Sequence, residues 1–221
     1  MPKVIFKFDK EKDLWNIWKT CNFNSAWHDF KKNLNLNILK IAEGKEFETC
    51  KKEIENYFKK VHESKLISIF IEAMDKSWNN INDKFFKRLE KIMKKPICSK
   101  EFVGYITTIG RCPYDFKEKS FMISISYSIP HGLKTVAHEI MHIQFHNTYW
   151  EEIEKEIGKE KTADLKEALT VLLNLEFKDL WFVEDKGYES HQKLRTFIEK
   201  QWKKEPDFDV LLDKCVNYLK K

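Results

Sequence analysis

No CxxC pair occurs in the 221 residues, and the five cysteines (Cys21, Cys50, Cys98, Cys112, Cys215) are odd in number and widely spaced. That excludes a cysteine zinc knuckle and argues against a disulfide framework, leaving reduced, buried thiols as the expectation. Glycine (6) and proline (5) are scarce, which excludes collagen-like and low-complexity chains. No apolar run approaches the length of a membrane span. The first residues, MPKVIFKFDKEKD, are too short and too interrupted in their apolar stretch for a secretory signal. A cytoplasmic protein that spans no membrane is therefore expected. There is no block of one charge sign either. The net charge of +5 comes from 40 basic and 35 acidic residues that are interspersed nearly everywhere. No basic cluster with interleaved aromatics stands out, which argues against a nucleic-acid partner. Internal repeats are absent.

What is present is material for a core: 42% of residues are hydrophobic, including 17 Phe, 7 Trp and 7 Tyr. Val4 to Phe8 alternates and reads as a short strand, after which Asp9 can cap a helix carrying Leu14, Trp15, Ile17 and Trp18. From about 25 to 95 nearly everything reads helical, with breaks at Gly44 and at Asn79–Asn80, and Pro96 ends this half. Phe102 to Ile109 then reads as a strand. Residues 121–128 place Phe121, Ile123, Ile125 and Tyr127 on one face and Ser124, Ser126 and Ser128 on the other, as in a strand with one buried and one polar side. Pro130 and Gly132 are expected to separate it from a helix over about 132–147. A charged stretch follows at 151–161, then helices over about 161–175, 189–204 and 206–220. The expected fold class is α+β, mostly helical with a small antiparallel sheet. Two regions are expected: a helical 1–95, and 96–221 carrying the chemistry.

That chemistry is suggested by residues 138–142, His-Glu-Ile-Met-His. On a helix, positions i and i+4 share a face, so two imidazoles reach one metal ion from a single rigid element. Glu139 lies beside such an ion and can take a proton from a zinc-bound water, whose pKa zinc lowers to about 7. Two incidental histidines on an exposed helix are the competing reading. The apolar neighbours Val136, Ala137, Ile140, Met141 and Ile143 argue for a buried helix, in which these polar groups need partners.

A catalytic zinc requires a third protein ligand and an open position. Glu167 is the best candidate, on a predicted helix among Ala163, Ala168 and Val171. Asp164, Glu160 and His146 are rivals, and an exposed glutamate paired with Lys166 or Lys161 is the alternative. His146 lies one turn beyond His142; a supporting or packing role is expected, because three ligands spaced by four on a straight helix diverge from one centre. His131 lies two turns before His138.

The pattern His138-Glu139-xx-His142 followed by a helix-borne Glu167 resembles the gluzincin metallopeptidases. His146 extends it to HExxHxxxH, similar to the small gluzincin-like proteases of the ImmA/IrrE type. The resemblance covers roughly residues 100–180. It implies a zincin-like core with the active-site helix after an edge strand that pairs with an extended substrate backbone. It also implies one Zn2+ per chain, held by His138, His142 and Glu167 with Glu139 as catalytic base. Thermolysin-like members carry an Asp one turn after the third ligand, orienting the first His. Here that position is Val171, with Thr170 beside it and Asn174 further on, so the orienting partner must come from elsewhere. A His or Tyr that stabilises the oxyanion is implied too, and Tyr188 and His191 are the downstream candidates.

The expected function is thus a zinc metallopeptidase acting on peptide or protein substrates. The alternative is a non-catalytic zincin-like protein whose metal is structural or regulatory and whose N-terminal half binds a partner.

Overall fold

The structure is a computed structural model that describes residues 1–25 and 27–221; position 26, within the stretch expected to be helical, lies outside the described residues. The chain opens with strand β1 (Lys3–Phe8), which buries Val4 and Phe6. Asp9 ends it and caps helix α1 (Lys10–Asn22), accepting a hydrogen bond from the Lys12 amide at 3.1 Å. Between Phe23 and Asn35 the described residues form only a 3-10 turn, Phe30–Asn33. The expected helix fails there because asparagine and serine side chains bond locally and compete with helical backbone. Helices α2 (Leu36–Ala42) and α3 (Phe47–His62) follow, separated at Gly44, whose φ of +73° suits a residue without Cβ. Then come α4 (Leu66–Asn79) and α5 (Asn82–Met93).

Strands β2 (Glu101–Thr107), β3 (Tyr114–Asp115) and β4 (Ser120–Ser124) join β1 in one sheet of order β1-β2-β4-β3. The sheet is not antiparallel as expected but mixed. β1 and β4 both run parallel to β2, and only the short β3 runs antiparallel to β4. Parallel strands are covered on both faces, and Ser120 to Ser124 are accordingly all buried. The serine alternation misled because only part of it is strand. Ser126 lies in a turn, bonded to Ser124 side chain to side chain at 2.8 Å, and Ser128 caps the next helix. Nor is β4 the outer strand: β3 flanks it at Ser120 and Phe121.

The motif helix, α6 (Ile129–Thr148), starts earlier than expected. Pro130 belongs to it, since a first-turn residue needs no free N–H. Gly132 belongs to it as well: a Cβ there would meet the Met74 sulfur at 2.8 Å, so its absence lets α4 cross α6 closely. The charged stretch after it is α7 (Trp150–Ile157). The following helix breaks at Thr170 into α8 (Lys159–Leu169) and α9 (Val171–Glu176). The short α10 (Lys178–Trp181) precedes α11 (Gln192–Lys204) and α12 (Phe208–Leu219). Among the described residues no helix is long and apolar enough to cross a membrane.

The main core joins Val4 and Phe6 of β1 and Met74, Trp78 and Phe85 of α4 and α5 to Val136 and Ile140 of α6, so residues on both sides of position 95 share it. A smaller cluster, Leu14, Ile17, Ile38, Cys50 and Ile54, binds α1, α2 and α3 together. The two layers meet at Asp13, which is fully buried. Its carboxylate accepts hydrogen bonds from the Thr107 hydroxyl (2.6 Å) and from the amide and hydroxyl of Thr108 (2.9 and 2.8 Å), and it lies 2.9 Å from Nε2 of His62. These bonds fix the loop leaving β2, which forms part of the cleft described next.

Candidate metal centre

Helices α6 and α8 bring three side chains to one point. His138 and His142 lie one turn apart and meet edge to face, with ring centroids 4.3 Å apart. Oε2 of Glu167 lies 3.3 Å from Nε2 of His142 and 3.7 Å from Nε2 of His138. One donor atom from each residue falls within 4.8 Å of the other two, a grouping that could hold a metal ion. The donor set, two imidazoles and a carboxylate, suits zinc with a fourth position left open. His142 supports the fit: its ring is buried, and neither nitrogen has a hydrogen-bond partner among the described residues. Buried polar atoms in that state are rare, and a cation facing Nε2 satisfies one of the two.

The partner of His138 lies in the loop after α10. Nδ1 of His138 donates to Oδ2 of Asp185 at 2.7 Å, leaving Nε2 turned toward Glu167. Asp185 is itself held from several sides. The Thr170 hydroxyl donates to its Oδ1 (2.9 Å), Arg195 Nη1 lies 3.3 Å from the same oxygen, and Lys134 Nζ lies 3.6 Å from Oδ2. The Asn174 side chain clamps the Asp185 backbone, accepting from its amide (2.7 Å) and donating to its carbonyl (2.8 Å). Gly187 gives Arg195 its room, since a Cβ would sit 2.8 Å from that side chain. Sequence reasoning missed Asp185; the only trace of it was the lack of an acid at Val171 beside the polar Thr170 and Asn174.

Glu139 is buried beside this group. Burial raises its carboxyl to about 7, with Glu167 adding to the rise and the His138 and lysine charges opposing it. Burial also pushes His142 down to about 3, helped by the Lys166 charge. Burial works against the charged form of His138 too, but the Asp185 and Glu167 carboxylates overcome it and raise His138 to about 10. Glu167 stays ionised despite burial because His142 and Lys166 hold its carboxyl well below the usual range. Carboxylates that favour a proton on His138 favour a metal cation at the same spot.

A cleft of about 1030 Å³ opens onto His138 and Glu139. One wall comes from α6 and the loop around Asp185. The N-terminal elements line the cleft as well, with Phe30, Leu34 and Ile38 before and within α2, and Tyr57 and Phe58 of α3. Tyr188 lines the cleft, and its hydroxyl makes no hydrogen bond among the described residues. His131 lines it too, packed on Tyr127 with ring centroids 4.2 Å apart.

The remaining candidates lie elsewhere. His146 is sandwiched between Phe116 (4.5 Å between centroids) and Trp150 (4.0 Å), outside the three-residue group. His191 is buried with its Nε2 3.0 Å from Asp164 Oδ1, an atom that also accepts from the Trp27 indole. Asp164 is thereby engaged away from the centre, and Glu160 is exposed. No family model, curated protein or solved structure matches the chain.

Proposed function

We propose that this protein is a zinc-dependent metallopeptidase. The observation that carries the reading is the convergence of His138, His142 and Glu167 at the edge of an open cleft, with Glu139 next to them. Zinc held by such a set makes water a nucleophile at neutral pH. The chain's own groups supply the rest. Asp185 fixes the ring of His138 through Nδ1. Glu139, with a pKa near neutrality, is suited to take a proton from the attacking water and return it to the leaving amine. Tyr188 offers a phenol donor on the wall of the same cleft, and such a donor would stabilise an oxyanion.

The test is zinc per chain by elemental analysis, in wild type and in a His138→Ala, His142→Ala double variant, followed by turnover of a peptide library. About one zinc in wild type and none in the double variant is expected. Glu139→Gln should keep the metal and lose turnover by two or more orders of magnitude. A Glu139→Gln protein with unchanged cellular function would favour a non-catalytic metal-binding role, and wild type without zinc would overturn the reading.

A further inference from the structure

Lys166 occupies an unusual place for a lysine. Its side chain is only 5% exposed, and its Nζ lies 2.6 Å from Oε1 of Glu167. The ammonium sits 4.7 Å from the centre of the Tyr114 ring, an added attraction for a cation. A buried ammonium is costly unless paired, and here the partner is the third member of the metal group. The two oxygens of Glu167 are thereby divided. Oε1 is engaged by Lys166, while Oε2 faces the two imidazoles at 3.3 and 3.7 Å. The pairing with Lys166 and the role of ligand are thus met by one carboxylate, an oxygen for each.

Resting on the metal-centre reading above, we propose that Lys166 is a positioning residue that restricts Glu167 to one-oxygen coordination of the metal and so keeps a position free for water. Carboxylates bind metals through one oxygen or two. A catalytic site needs three protein ligands and an open position, and a two-oxygen glutamate beside two histidines would fill that position. The charge-assisted hydrogen bond from Lys166 is about twice as strong as a neutral one and withdraws Oε1 from competition. Tyr114, contributed by β3, covers the ammonium and also packs beside His142, with ring centroids 5.3 Å apart.

Cobalt in place of zinc reads the coordination directly, without substrate. Wild type should show the intense visible bands of a four-coordinate ion. Lys166→Met should bind cobalt with bands several-fold weaker, as Oε1 joins the metal, and Lys166→Arg should restore the intensity. Wild-type intensity in Lys166→Met would overturn the proposal. Zinc X-ray absorption on wild type needs no variant to fold: about four near ligands support the proposal, and five or more overturn it. Wild type that takes up neither metal would overturn the metal centre itself, an outcome distinct from an unchanged spectrum in the variant.

Discussion

Nδ1 of His138 donates to Oδ2 of Asp185 across 2.7 Å, joining residues 47 positions apart. The bond fixes which nitrogen of His138 faces the metal group. Partners of this kind affect metal affinity by roughly 10–100-fold. Asp185→Asn, which keeps the shape and removes the charge, should therefore bind zinc about 10–100-fold more weakly in competition with a chromophoric chelator. Unchanged affinity would mean that Asp185 only braces its loop.

Removing the metal should also lower stability. An ion that binds the native chain alone, at about 100 times its dissociation constant, adds about 2.7 kcal/mol. Calorimetry with and without a chelator should show a lower Tm in the chelated sample. The His138→Ala, His142→Ala variant should show no such shift; if it shifts as much as wild type, the ion sits elsewhere.

Gly187 has a φ of +62° and lies against Arg195. Gly187→Ala places a Cβ in a conformation L side chains rarely adopt and pushes on the residue that holds Asp185. A loss of more than about 1 kcal/mol is expected in urea denaturation. Equal midpoints for the two proteins would show that Arg195 moves aside without penalty.

His146 gives a pH dependence. Burial, and then the Lys166 charge, lower it to about 4, whereas the unfolded chain has it at about 6.5. Between those values the unfolded state binds the extra proton. Stability therefore rises with pH across this window and is lost as the pH falls from 6.5 toward 4. His146→Phe, which can keep the stack with Phe116 and Trp150, should show a flatter Tm profile over the same range. Parallel profiles would remove His146 as a source of acid sensitivity.

How much of this could be read from the sequence depended on how local each feature is. His138, Glu139 and His142 lie within one helical turn, so their spacing already describes their geometry. Asp9 capping α1 and the break at Gly44 are local in the same way. Pro130 misled because a proline reads as an ending, while at a first-turn position it begins a helix. The direction of β4 was not legible, because a five-residue strand says nothing about which strand it will meet. Asp185 was hidden for a related reason. It is held against His138 by Thr170 and Asn174 at α9 and by Arg195 of α11, and no spacing rule links a loop acid to a helix from which four other helices separate it.

Because Lys3 pairs with Glu101 and Phe8 with Ile106, β1 has no neighbour during synthesis until about a hundred more residues have emerged. Until then α1 to α5 can gather around Leu14, Ile17, Ile54 and Trp78, but the sheet that orients α6 cannot close. A protein cut free of its first 95 residues would leave the β1 side of β2 unpaired and remove one wall of the cleft. Such a fragment would expose a strand edge prone to self-association, and α6 would lose the support of α4 along its Gly132 side.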